Sequence, residues 1–308
     1  MRILRATHLG MCFGVRDAIS LALARGNQAP LTILGELVHN ESVLASLRAR
    51  GIQIAGQAAE VGTPTVMITA HGASDQARDR VRRRGLTVVE ATCPLVHYAH
   101  QAVTALVRAG YHPVIIGKRD HVEVRGLTED LAAFDVVLTE AEIDALPARP
   151  RFGVAAQTTQ PIDRVRALVE RLRRRFPEAD VRFTDTVCQP TKQRQAAALE
   201  LAHQCDVVVV VGGAHSNNTR ELVATCARQG ARVFHVQTAA DLQIGWFQGA
   251  ETVGLTAGTS TPDEVIEAVE RRLRDYGDHW PSAGGDWAGL PHGEAEPQVT
   301  AHALAASS

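Results

Sequence analysis

The chain has 308 residues and a mass of 33.1 kDa, a length that predicts about two domains. Hydrophobic residues make up 45 % and charged residues 21 %, which excludes a wholly disordered chain. Lys plus Arg number 32 against 34 Asp plus Glu, and aromatics are only 4 %, so a basic nucleic-acid footprint and a base-stacking platform are both excluded.

The amino terminus, MRILRATHLG, has no apolar run of signal-peptide length. The longest apolar window, Val207 to Val211, falls far short of the roughly 20 residues a membrane helix needs. The expectation is a soluble, cytoplasmic protein that binds neither membrane nor nucleic acid. In chain order, a strand falls within 1–12, then helix 17–25, strand 32–34, helix 42–49, strand 65–69, helix 76–84 and strand 86–90. Next come helix 98–108, strands 112–116 and 153–156, helix 162–175 and strand 181–184. Helix 193–202, strand 207–211, helix 220–229, strands 232–235 and 252–255, and helix 263–276 follow. The strands are continuous Val/Ile/Leu runs, which predicts parallel sheets covered on both faces. Their interleaving with helices predicts the α/β class. From 277 to 308 the chain is rich in Gly, Ala, Pro and Ser and reads as a flexible C-terminal tail.

In open α/β sheets, ligands gather at the carboxyl ends of the strands, and helix amino termini there suit phosphate. Four predicted strands run into polar turns: His71-Gly72-Ala73-Ser74, Thr158-Thr159-Gln160, Ser216-Asn217-Asn218-Thr219 and Thr259-Ser260-Thr261. Helix capping explains any single one of them, and Thr261 to Glu264 fits a capping box. Several such turns beside histidines point to an anion site. His39, His71 and His121 all follow predicted strands, and imidazole donates to phosphate and titrates near neutrality. Glu123 lies two residues after His121; in an extended segment the two side chains share a face, which would suit a proton relay, but the spacing alone favours a solvated surface glutamate. No Walker A loop or dinucleotide glycine fingerprint is present.

Five scattered cysteines exclude a disulfide framework. Cys205 and Cys226 fit inert core positions. Cys12, Cys93 and Cys188 lie beside turns, 81 and 95 residues apart, a coarse threefold spacing. Three thiolates suit an iron–sulfur cluster with one iron open to substrate, or a zinc site, and the spacing does not choose between them.

The segments GMCFGV, LVHN, AHG, ATCPLV, HVEV, QTT, the Cys188 segment, HSNNTREL and TAGTSTPD occur in one consistent order. Together they resemble the 4-hydroxy-3-methylbut-2-enyl diphosphate reductase (LytB) family, from about Ile3 to about Tyr276. The resemblance implies three pseudo-repeated α/β lobes in a trefoil around a central cluster: 13–93, 94–184 and 185–276, with 1–12 carrying the first ligand. It implies one [4Fe–4S] cluster per chain, held by Cys12, Cys93 and Cys188, with an open apical iron for the substrate hydroxyl. It assigns the diphosphate to His39, His71, His121, Ser216, Asn217, Asn218 and Ser260, and the allylic hydroxyl to Thr158 and Glu123, with Glu123 delivering the proton. It implies the reductive dehydroxylation that ends the methylerythritol phosphate route, fed by reduced ferredoxin or flavodoxin. The chain departs from the family pattern at Met11, where Phe is frequent, and at Phe13, where Ala is common. It departs again at Val122, where Pro is usual, and at Asn217, where some members have Ser. Two other readings compete: a zinc-dependent hydrolase or transferase acting on a phosphorylated metabolite, and a non-enzymatic iron–sulfur sensor.

Overall fold

The computed structural model describes residues 1–278. Its first elements are β1 (Arg2–Arg5), α1 (Phe13–Gly26), β2 (Leu31–Leu34), α2 (Glu41–Ala49), β3 (Gln53–Ala55), β4 (Thr65–Ile68), α3 (Asp75–Arg83) and β5 (Thr87–Glu90). Next are α4 (Pro94–Arg108), β6 (His112–Ile116), α5 (Val122–Thr128), β7 (Asp135–Val137), α6 (Glu140–Asp144), β8 (Arg151–Ala156), α7 (Ile162–Arg175) and β9 (Asp180–Phe183). The last are α8 (Gln189–Gln204), β10 (Val207–Val211), α9 (Asn217–Ala227), β11 (Arg232–Val236), β12 (Thr252–Ala257) and α10 (Asp263–Asp278).

The strands form three four-stranded sheets, in the orders β3-β2-β4-β5, β7-β6-β8-β9 and β1-β12-β10-β11. Every pairing is parallel, so the α/β class with parallel sheets holds. All three sheets share one plan. Across each sheet the strands run second, first, third, fourth in chain order, except that in the last sheet β1, from the amino terminus, fills the fourth place. The order therefore reverses between β2 and β4, between β6 and β8, and between β10 and β12, and such switch points open a crevice at the carboxyl ends.

The chain divides into two compact units. Phe13–Lys192 contains the first two sheets, and residues 1–12 with the chain from Gln193 contain the third. The third sheet shows why a run of five valines makes a strand. Val207, Val209 and Val211 pack toward Ile266, Val269 and Leu273 of α10, while Val208 and Val210 pack toward Leu201 of α8 and Leu222 of α9. With both faces covered, period 2 is apolar throughout; each valine buried this way contributes roughly 1.5–3 kcal/mol. In the second sheet, Ile116, Phe152 and Val154 meet Leu168 and Leu172 of α7, and Ile115 and Ala155 meet Val103 of α4 on the other face.

Some local expectations change. β3 and β7 were not predicted, being three-residue edge strands too short to show a pattern. Helices α1, α4 and α8 start at Phe13, Pro94 and Gln189, each four residues before the predicted start and each immediately after a cysteine. Their first turns, FGVR, PLVH and QPTK, hold Gly, Pro and Thr, which weaken the helical pattern yet are tolerated at a helix start. α10 extends two residues into the expected tail, and the rest of 277–308, including His279, His292 and His302, lies outside the described residues.

Candidate functional site

In the unit Phe13–Lys192, the turns after β2, β4 and β6 carry His39, His71 and His121. Their rings meet: His39 and His71 stack at 4.4 Å, and His121 stands edge-on to them at 5.3 and 5.6 Å. Their ligand atoms all lie within 4.8 Å of one another, a spacing that a metal ion could use. The hydrogen bonds differ from ring to ring. The Glu123 N–H donates to His121 Nδ1 at 3.1 Å, so neutral His121 keeps its proton on Nε2 and offers a donor there. His39 Nδ1 donates to Glu36 at 2.7 Å. His71 Nδ1 is enclosed and has no partner. Desolvation, then repulsion from His39 and His121, holds His71 well below the ordinary histidine range, which favours the neutral ring.

The extended arrangement expected for 121–123 is corrected. His121 caps α5 through Nδ1, and Val122 is the first helical residue, a position where Pro is favoured but not required. Val122 therefore leaves this backbone in place despite departing from the family pattern. Glu123, in the first turn of α5, is 1 % exposed and accepts the Thr158 N–H at 2.6 Å and the Thr158 hydroxyl at 2.9 Å. Burial pushes its carboxyl up to about 7, against the two Thr158 hydrogen bonds that pull it down.

In the other unit, Ser216 caps α9, accepting the Thr219 N–H at 3.3 Å, and Asn217 and Asn218 open that helix, both buried. Asn218 Oδ1 accepts the Thr259 N–H at 2.9 Å, while its Nδ2 is enclosed without a partner. Ser260 is buried in the same turn, after β12. Thr261, expected in a capping box, donates its hydroxyl to the Val211 carbonyl at 3.1 Å. His71 Nδ1 and Asn218 Nδ2 are thus two unspent polar nitrogens in turns at carboxyl ends of central strands, and leaving them unpaired is costly.

The cysteines follow the fourth strands: Cys12 after β1, Cys93 after β5 and Cys188 after β9. Each is tied to the polar turn after the third strand of its own sheet. The N–H of Cys12 donates to Thr259 at 3.0 Å, that of Cys93 to Ala70 at 3.1 Å, and that of Cys188 to Thr158 at 3.0 Å. The backbone of each of these cysteines is therefore bonded to a polar turn of its own sheet. Each of these cysteines also stands at the amino end of a helix of 14 to 16 residues.

The sequence of the LytB protein family matches residues 3–274. The chain belongs to the LytB family. The 4-hydroxy-3-methylbut-2-enyl diphosphate reductase of Trichlorobacter lovleyi is 38 % identical over 275 residues, covering 89 % of this chain and 98 % of that protein. The enzyme of that name from Anaeromyxobacter sp. is 39 % identical over 278 residues, covering 89 % and 97 %. Among solved structures, the E-1-hydroxy-2-methyl-but-2-enyl-4-diphosphate reductase from Plasmodium falciparum aligns with a TM-score of 0.83 at 26 % identity, over 88 % of this chain and 87 % of that one. A solved (E)-4-hydroxy-3-methyl-but-2-enyl diphosphate reductase, the terminal enzyme of the non-mevalonate pathway, aligns with a TM-score of 0.64 at 34 % identity, over 89 % and 100 %.

LytB membership implies an iron–sulfur cofactor. The residues present fit one. Cys12, Cys93 and Cys188 are partly exposed and form no disulfide. A Cβ built on Gly14 would overlap the Cys93 sulfur, so only glycine leaves that sulfur its room. The Thr191 hydroxyl lies 3.0 Å from the Cys188 sulfur. Cys205 and Cys226 are buried; burial raises the Cys205 thiol and pushes that of Cys226 up to about 12, which makes both poor ligands. Sequence reasoning missed four supporting residues: Glu36, Thr191, Gly14 and Arg194. Arg194 is buried and donates from Nε to the Gly10 carbonyl at 2.9 Å, fixing the turn before Cys12. Glu36, three residues before His39 in GELVHN, was the one with a readable spacing. Among the described residues no helix is long and apolar enough to cross a membrane.

Proposed function

We propose that the chain reduces (E)-4-hydroxy-3-methylbut-2-enyl diphosphate to isopentenyl and dimethylallyl diphosphates, with Cys12, Cys93 and Cys188 holding one [4Fe–4S] cluster. The observation that carries the reading is the threefold N–H link from each cysteine to a polar turn of its own sheet. It ties each proposed cluster ligand to a proposed substrate-binding turn on the adjacent strand.

When bound, the cluster supplies two electrons, one at a time, and Lewis acidity for the substrate hydroxyl, neither of which protein side chains offer. The chain supplies the rest. His39, His71 and His121 in one unit, and Ser216, Asn218 and Ser260 in the other, donate to the diphosphate; Asn217, at the start of α9, adds its amide. Thr158 orients Glu123, and Glu123 gives a proton to the leaving hydroxyl, which departs as water. A second proton joins either end of the allyl unit, which yields the two products. Two electrons and two protons balance the loss of one water. Reduced ferredoxin or flavodoxin provides the electrons, and five cysteines without a disulfide suit the reducing cytoplasm.

The test is iron, acid-labile sulfide and zinc per chain on anaerobically prepared protein, followed by product analysis with a low-potential reductant. About four irons and four sulfides per chain, with both diphosphate products, is the expected result. About one zinc and no sulfide after reconstitution would overturn the reading in favour of a hydrolase.

A further inference from the structure

Within the unit Phe13–Lys192, the turn His71-Gly72-Ala73-Ser74 follows β4 of the first sheet, yet it leans on helices that cover the second. Those helices are α4 and α5, whose Ala99, Val103, Val124 and Leu127 bury against Ile115 and Ala155 of the second sheet. A Cβ built on Gly72 would lie 3.1 to 3.4 Å from Thr92 and from Val96 and His100 of α4. One built on Gly126 of α5 would lie 3.5 to 3.7 Å from the Ala73 backbone. The turn is therefore where the two sheets meet.

Two carboxylates close this seam. Asp130, just past α5, accepts the Asp75 N–H at 2.6 Å on one oxygen and the Gln76 N–H at 3.0 Å on the other. Glu129, which ends α5, accepts the Ser74 hydroxyl on one oxygen and the Arg80 guanidinium at 2.6 Å on the other. The Glu129 carbonyl also accepts the Gln76 side chain at 2.9 Å. The first N–H groups of α3 have no partner inside their own helix, and that positive end favours carboxylate. The Ser74 hydroxyl, aided by Arg80, outweighs desolvation and holds the Glu129 carboxyl below its ordinary value, so the clasp is ionised.

The histidine cluster is built across the same seam. His39 and His71, stacked at 4.4 Å, follow strands of the first sheet. His121 caps the start of α5 and follows a strand of the second, and its ring stands 5.3 and 5.6 Å from the other two. His71 is three residues before Ser74, and α5 carries His121 at one end and Glu129 at the other. We propose that Glu129 and Asp130 are positioning residues: by clasping the amino end of α3 to the end of α5, they set where His121 stands relative to His71. They touch no ligand themselves. The proposal rests on the reading that these histidines bind diphosphate.

The test measures the Kd of inorganic diphosphate for the full chain by calorimetry. Glu129→Ala/Asp130→Ala is expected to raise it about tenfold, the size of two lost caps if both reach the site. Glu129→Gln/Asp130→Asn makes the same change in charge but keeps acceptor oxygens, and is expected to recover most of the affinity. In a His121→Ala background the alanine pair is expected to change Kd by less than about twofold, because its route to the ligand is gone. Asp79→Ala, on α3 but paired with Arg82 of the same helix, is expected to leave Kd within about twofold of the parent. An alanine pair that binds like the parent overturns the proposal. So does a loss of equal size with and without His121, which is what general loosening of the fold would give. If the parent itself binds no diphosphate, the diphosphate role of the histidines is lost, and the ring-nitrogen NMR signals of His71 and His121 decide the rest. Signals that move in the alanine pair but not in Asp79→Ala keep the clasp; signals that stay in place remove it.

Discussion

The amide N–H of Cys188 donates to the carbonyl of Thr158 at 3.0 Å. The same threonine grips both oxygens of Glu123, at 2.6 and 2.9 Å. One residue thus joins the proposed cluster ligand to the proposed acid, and a shift at either end reaches the other through two hydrogen bonds.

Glu123→Gln keeps the shape and the Thr158 contacts but removes the proton. Iron and sulfide content should stay at the parent level, while turnover falls about 10²- to 10⁴-fold. In the proposed mechanism the acid form is the working one, so turnover should decline as pH rises through about 7. Stability carries the same sign. Between the ordinary value of 4.5 and about 7, the folded state binds a proton that the unfolded state has lost, so stability falls as pH rises across that window. Relative to Glu123→Gln, the parent should lose about 3 kcal/mol across it, read from denaturant midpoints of cluster-free protein at the two ends.

Thr158→Val removes the hydroxyl that pulls Glu123 down. The alkaline limb of the pH–rate profile should move to higher pH, and Thr158→Ser should restore it. A profile unchanged in the valine variant would detach Thr158 from the acid.

His71 is held toward the neutral form, and in the proposed site it gains a counter-charge when diphosphate binds, so its proton affinity should rise on binding. Inorganic diphosphate should therefore bind with proton uptake near neutral pH. Titration calorimetry in buffers of different ionisation enthalpy measures this directly, and His71→Asn should abolish most of the uptake. Asn218→Ala, which deletes an enclosed donor, should raise KM about tenfold or more with little change in kcat.

Gly14→Ala places a methyl group against the Cys93 sulfur. Iron and sulfide per chain should drop in Gly14→Ala and stay normal in Cys205→Ala. In cluster-free protein, iodoacetamide at pH 8 should modify Cys12, Cys93 and Cys188 and spare buried Cys226, mapped by mass spectrometry.

The sequence alone determined the class, because both-face burial writes itself as unbroken apolar runs such as Val207–Val211, and it determined the family, because nine short strings stand in order. It also separated Cys205 and Cys226 from the other three thiols. The tertiary structure decided what depends on partners distant in the chain. β1 completes a sheet with β12, some 250 residues away, and no local pattern encodes that pairing. β3 and β7 exist only because a neighbouring strand offers hydrogen bonds. The helices behind the three cysteines begin a turn early because glycine and proline, poor inside a helix, are harmless where the first N–H groups have no partner anyway. Glu123 was legible as a carboxyl near a histidine. Its burial, its helix and its grip by Thr158, which together give it a proton to deliver, required the fold.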